Sequence, residues 1–268
     1  SRGLGDVYKR QAYNTYVTAY NTNMVANESF IDSATLRENV VALARNVGYV
    51  PSSRRASTAN ISFTVDLGSG TSKSSVTLKA GLVALGDFAN TNYTFCTPED
   101  ITSPVTDGFA EFTIDIKQGT FVTNEFVVDT SQPNQKFIIP NPYVDTSTLK
   151  VQVRDTLTSS SRKTYSQIDN IVGISTHSET FLIQEIQDEK YELLFGDGVL
   201  GKRLSNGNVI NSTYIVTDGV GGNGVSNFSF SGKLVDNDGG LITSGISYVI
   251  TNERLSLIHI SEPTRQAS

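Results

Sequence analysis

Apolar and polar residues recur with two different periods along this chain, and the change from one to the other divides it. Tyr13, Tyr16, Val17, Tyr20 and Met24 fall at helical spacing, with Asn and Thr filling the opposite face. The pattern predicts an amphipathic helix that breaks near Glu28-Ser29. A second helix is predicted over 32–47, where Leu36, Val40, Leu43 and Val47 form a narrow stripe. Asp32 or Ser33 could accept a hydrogen bond from the free first-turn amides, and Gly48 followed by Pro51 supplies a stop. So narrow a stripe suits either a helix capping a β domain or a helix–helix seam between subunits.

From Ala59 the period falls to two. In Asn60–Leu67, Ile61, Phe63, Val65 and Leu67 share one face. Further strands are predicted over 75–80, 93–96, 111–116, 120–128, 136–139 and 149–154, separated by Gly, Ser, Asn, Asp and Pro. No helical pattern lies between them, which excludes βαβ units and favours antiparallel pairing. The predicted fold class is therefore mainly β with an α-helical N-terminal part, the β portion built as antiparallel sandwich or meander modules. The run Ser159-Ser160-Ser161 reads as a hinge or hairpin tip, with a domain boundary near it. Gly68–Lys73 lacks the glycine spacing and the following helix of a phosphate loop, and is read as a hairpin loop.

The densest signal lies between Thr180 and Gly219. Phe181 to Ile186 alternates, Gln187-Asp188-Glu189 is polar enough to turn, and Tyr191 to Phe195 reads as the returning strand. Gly196-Asp197-Gly198, Gly201 and Asn206-Gly207 then mark three bends, where the backbone needs positive φ or close approach. Asn208 to Thr217 resumes as a third strand. Gly196, Asp197, Gly198, Gly201 and Gly207 are thus expected to form a structural loop, with Lys202 and Arg203 at its tip available for an intersubunit contact.

FGDGVLGKRLSNGNVI followed by YIVTDG and GGNG resembles the central signature of the baseplate J-like family, specifically the baseplate wedge proteins of T-even-type contractile-tail phages. FIDSATLRENVVALARNVGYVPSSRR, from Phe30 to Arg55, is similar to the helix that opens the same family's core. Two separated motifs in the right order are far more specific than either alone. The resemblance implies a virion subunit of the tail baseplate, made in the host cytoplasm. It would pair with copies of itself and with other wedge subunits in a ring that couples host contact to sheath contraction. On this reading Leu36, Val40, Leu43 and Val47 form a subunit interface.

Both chain ends break with their neighbours. SRGLGDVYKRQ and LSLIHISEPTRQAS resemble translated sequencing adapters, so 1–11 and 255–268 are set apart as artefact tails and the protein is expected to be a fragment. What remains is expected to divide into a helical segment over 12–56, a β-rich domain over 57–160, and a second over 161–254 that carries the glycine motif.

Composition and charge remove several function classes. A formal charge of -6 argues against a general nucleic-acid binder, which carries a basic footprint. No apolar run is long enough to span a bilayer. One cysteine, Cys96, excludes an internal disulfide. Outside the suspect tail the one histidine is His177, too few for a His-rich zinc site, and Ser178 lacks the strand–turn–helix setting of a nucleophile elbow. The expectation is no enzyme, no cofactor and no small-molecule substrate. Two alternatives stay open: a host-binding adhesin, and a tail-associated glycan hydrolase using a carboxylate pair such as Asp188, Glu189, Asp236 or Asp238. The DNDGG run at Asp236–Gly240 resembles the front of a calcium loop but lacks the distal glutamate, and a tight turn between strands is the simpler reading.

Overall fold

The computed structural model describes residues 2–46, 53–132, 134–168, 173–243, 246–247 and 253–256. They form two units, Ser1–Ser52 with Gln184–Tyr191, and Ser53–Ile183 with Glu192–Ser268. The protein is mainly β, with a helical N-terminal part.

In the first unit, α1 (Arg2–Glu28) ends where the sequence predicts a break. It also runs without interruption through Gln11, the expected end of the artefact tail, because nothing between Arg10 and Tyr13 breaks helical geometry. The second helix, α2, spans Arg37–Asn46 and starts later than the predicted Asp32. The reason is local. Phe30–Ala34 is spent in a turn, with the Ala34 amide on the Phe30 carbonyl at 2.9 Å. The Thr35 and Leu36 amides at the mouth of α2 are taken by Glu28, while Ser33 Oγ donates to the Asn27 carbonyl. The Glu28 carboxylate accepts from Thr35 N at 2.9 Å, Leu36 N at 3.3 Å, Thr35 Oγ1 at 2.6 Å and Asn39 Nδ2 at 2.8 Å. These bonds, led by the Thr35 hydroxyl, lower its pKa to about 2.

The β portion opens with six strands: β1 (Thr58–Asp66), β2 (Ser75–Leu78), β3 (Gly81–Phe88), β4 (Thr91–Thr97), β5 (Ile101–Thr106) and β6 (Phe109–Gln118). Seven more follow: β7 (Thr120–Val127), β8 (Phe137–Ile139), β9 (Val144–Arg154), β10 (Arg162–Gln167), β11 (Thr180–Glu185), β12 (Tyr191–Phe195) and β13 (Val209–Val216). Five short ones close the described chain: β14 (Phe228–Phe230), β15 (Leu234–Asp236), β16 (Leu241–Ile242), β17 (Ile246–Ser247) and β18 (Glu253–Ser256).

The first six and last five strands make one eleven-stranded sheet, and β7 to β13 make a separate seven-stranded sheet. The second sheet is therefore an insertion between β6 and β14 of the first. The boundary expected near Ser160 falls inside the inserted sheet, at the tip of the β9–β10 hairpin, where Arg162 pairs with Arg154. Leu255 and Ser256, placed by the sequence in the C-terminal tail, lie in β18, which pairs with β1.

Period-two burial builds the first sheet's core. β1 and β6 pair over nine residues, Thr58 to Asp66 against Lys117 to Phe109. Ala59, Ile61, Phe63 and Val65 pack with Ala110, Phe112, Ile114 and Ile116 in a cluster that β14 and β15 also reach through Phe228 and Leu234. The Phe63 and Phe112 rings stack at 4.9 Å, and Phe95 meets Phe228 edge-on at 4.9 Å. Gly68–Lys73, expected to be a hairpin loop, instead carries the chain between strands that do not pair, since β2 lies against β5 and β15.

The inserted sheet runs β7-β13-β9-β10-β11-β12-β8. β13 pairs along its whole length with β7 and, through a bulge near Tyr214, with β9. β10 pairs with β11 in parallel at Ser166–Thr180, which the connection of about a dozen residues between them permits. Sequence periodicity missed β3, β5 and β10, and also the short β14 and β17. β5 carries Pro104, β3 carries two glycines, and β10 (RKTYSQ) is polar on most positions.

Candidate functional site

Two surfaces carry the sequence-predicted residues. The first is the loop between β12 and β13. Its root is Phe195, whose ring lies 5.7 Å from Phe137, 5.8 Å from Tyr165 and 6.3 Å from Phe181. Past that aromatic anchor, Gly196 bridges Arg203. A Cβ on Gly196 would sit 2.3 Å from the Gly201 carbonyl carbon, so this glycine is required by close backbone approach. Gly198, Gly201 and Gly207 take φ of 93°, 85° and 81°, the left-handed region. The Gly198 amide closes the loop on the Gly201 carbonyl at 3.1 Å.

Asp197 turns inward on its own loop. Its Oδ1 accepts from the Val199 and Leu200 amides at 2.8 and 2.9 Å, and these two bonds, Leu200 first, hold its carboxyl below the usual range. Lys202 is likewise engaged: its Nζ meets Glu179 Oε1 at 2.7 Å, a bond that raises the ammonium pKa. The groups left at the tip are Arg203 and the apolar Val199 and Leu200, 71% and 46% exposed. Behind the loop, Ser175 and Ser178 carbonyls accept from Gly201 N at 3.2 Å and Lys202 N at 2.9 Å. That backing segment includes His177, an exposed residue whose Nδ1 lies 2.9 Å from Thr176 Oγ1. No sequence signal linked 175–178 to the glycines.

The second surface is helical. Leu36 stands before α2 and is exposed, Val40 and Leu43 are half-buried, and Val47 lies outside the described residues. Among the described side chains of α2 the buried ones are Val41 and Ala44, one step round from the expected stripe. α1 exposes more apolar surface. Tyr13, Tyr16 and Tyr20 are 69%, 69% and 56% exposed, with Met24 on the same face. The Tyr16 and Tyr20 rings stack 6.5 Å apart. Exposed aromatic residues in such a row mark a contact surface more often than a solvated one.

A third feature escaped sequence reasoning, at the seam where the chain leaves and rejoins the first sheet. β6 alternates inward at Ala110, Phe112, Ile114 and Ile116, and the next inward position is Gln118, 2% exposed. Its Oε1 accepts from Thr217 Oγ1 at 2.7 Å and Asp218 N at 3.1 Å, while its Nε2 donates to Asp218 Oδ2 at 3.1 Å. Gly119 follows with φ of 138°, and a Cβ there would lie 2.3 Å from the Val216 carbonyl oxygen. Its own carbonyl accepts from Thr94 Oγ1 at 2.9 Å and Cys96 Sγ at 3.1 Å. Burial pushes the Cys96 thiol up. The detectable signal was a glutamine at an inward register position of an otherwise apolar face.

The acidic pairs weighed for hydrolysis are engaged elsewhere. Lys73 Nζ lies 2.8 Å from Asp236 and 2.6 Å from Asp238. Asp236 accepts from the Asp238 and Gly240 amides, closing a turn between β15 and β16. The Lys73 bond, then the Gly240 amide, lower the Asp236 pKa, opposite to the shift a general acid needs. Glu99 pairs with Lys150, and Asp100 with Lys79 at 2.8 Å. Asp188 and Glu189 occupy the β11–β12 turn at φ of 62° and 55°. Among the described residues no helix is long and apolar enough to cross a membrane.

Comparison with known proteins places this geometry in context. The chain is similar to the baseplate wedge protein gp6 of Enterobacteria phage T4, with 27% identity over 246 residues. The match covers 84% of this chain and 36% of that protein, so the chain spans about a third of the relative's length. No family model matches. The likeness supports a baseplate-wedge-like relationship.

Proposed function

We propose that this chain is a structural subunit of a phage tail baseplate wedge, acting through protein–protein contacts and not through catalysis. The observation that carries the reading is the match to a baseplate wedge protein across most of this chain. The exposed tyrosine row of α1 and the half-buried face of α2 support it, because each offers apolar surface of the kind subunits cover. The partners proposed are a second copy and other wedge subunits, in a contractile tail whose baseplate couples host contact to sheath contraction. Two packings of such interfaces, biased by receptor binding, would perform that coupling without covalent chemistry. Assembly would take place in the host cytoplasm before the particle is complete.

Immunogold labelling of intact tails tests the reading. Label on the baseplate ring is the expected result, and label confined to fibre tips would favour the adhesin. Polysaccharide cleavage lost on Asp188→Asn or Asp238→Asn would favour the hydrolase. Co-expression with neighbouring wedge subunits should give a complex that survives gel filtration and is weakened by Tyr16→Ser with Tyr20→Ser.

A further inference from the structure

The five residues that lead into β1 are bound more heavily than a connecting segment requires. Ser53 Oγ lies 2.8 Å from Thr146 Oγ1 and accepts from the Thr146 amide at 2.9 Å. The Arg54 guanidinium sits 3.8 Å above the Tyr143 ring. The Ala56 amide donates to Asp145 Oδ2 at 3.0 Å, and Ser57 Oγ donates to the Gly219 carbonyl at 2.8 Å. The Gln118 amide in turn donates to the Ser57 carbonyl at 2.8 Å. Each of these contacts reaches the start of β9 or the seam around Gln118 and Gly219, across a long stretch of sequence.

Asp145 is the hub. It is fully buried, and its other oxygen accepts from Ser147 N at 3.0 Å and Ser147 Oγ at 2.6 Å. Lys117 Nζ, one residue before Gln118, stands 3.6 Å from Oδ2 and donates to Ser147 Oγ at 3.2 Å. One carboxylate therefore joins the incoming segment, the inserted sheet and the end of β6. Removing it would leave the buried Ala56 amide and the part-buried Ser147 amide with no acceptor.

We propose that Ser53–Ser57 is a locking strap, which makes the point where the chain enters the β unit and the seam between its two sheets a single cooperative element. A displacement applied at Ser53 then loads the seam, where bonds at Asp145, Thr146 and Gly219 act together. Without the strap it would unzip β1 one residue at a time. The two sheets are in this way coupled through Ser53–Ser57, whether or not the baseplate reading is correct.

Hydrogen exchange on the full chain tests this, read at the Ala56, Gln118 and Asp218 amides. Thr146→Val touches the strap only at Ser53, and Asp145→Asn weakens the hub. Either is expected to speed exchange at all three amides in parallel, by about tenfold or more for Asp145→Asn. Because coupling is reciprocal, Gln118→Leu should speed exchange at Ala56. Lys163→Ala, which touches only the exposed Asp155 pair, should change none of the three. Faster exchange at Ala56 alone, with Gln118 and Asp218 at the parent rate in both strap variants, would overturn the proposal. Should Asp145→Asn fail to fold, Thr146→Val decides by itself.

Discussion

The glycine loop and the inter-sheet seam are both bends between strands, and both are marked by glycine, yet they are held in opposite ways. The loop is tied mainly by its own backbone, closing on Gly198 and Gly201 and leaning on the Ser175 and Ser178 carbonyls, with Asp197 turned in on the Val199 and Leu200 amides and Lys202 paired at the surface. The seam is tied by side chains, with Gln118 and Thr217 buried and each bonded to groups from the opposite end of the inserted sheet. A backbone-tied loop tolerates side-chain replacement and resists only what changes its dihedrals or its closest approach. A side-chain-tied seam loses its whole network when one member goes, because the groups left behind are buried without partners.

The largest effect should come at the seam. Gly119→Ala places a Cβ against the Val216 carbonyl at a φ that alanine avoids, and should cost about 3 kcal/mol or more in urea unfolding. A silent Gly119→Ala would break the contrast at once. Gln118→Ala removes the acceptor for Thr217 Oγ1 and the Asp218 amide, and a loss of about 1–3 kcal/mol is expected by the same measurement.

Within the loop, the costly glycine should be Gly196 and not the positive-φ set. Gly196→Ala forces the Gly201 carbonyl aside, at about 1–3 kcal/mol. Gly198→Ala meets only Arg203 Cβ at 3.5 Å, so its cost should be confined to the left-handed penalty of about 1 kcal/mol. If Gly198→Ala proves the more damaging of the two, the loop is governed by dihedral strain and not by backbone approach.

The smallest effect should be Lys202→Ala. Its pair with Glu179 is more than a third exposed on the lysine side, and such pairs contribute within about 0.5 kcal/mol. A melting temperature unchanged within error is expected. A clear fall would mean that the loop depends on a side chain after all, and would erase its difference from the seam.

Much of this fold was legible before any coordinates. Alternation in Asn60–Leu67 located β1 and its inward face, and the polar triplet Gln187–Glu189 located the turn between β11 and β12. The glycines after Phe195 located the loop, and Glu28-Ser29 the end of α1. These signals are local: each depends on residues within one turn or one strand of each other, where period and turn chemistry act directly. The helix start at Arg37 was misplaced because its cap comes from Glu28, on the preceding helix. β10 was missed because its partners, not its own apolar content, make it a strand.

Chain order along the sequence determined that this protein has a helical start and many short strands, since hydrophobic period is a property of neighbours. It did not determine that β7 to β13 form one sheet set inside another, nor that Gln118 must meet Thr217 and Asp145 must hold Ala56. Those pairings join residues separated by most of a sheet, and only the tertiary structure decides which buried donor finds which acceptor.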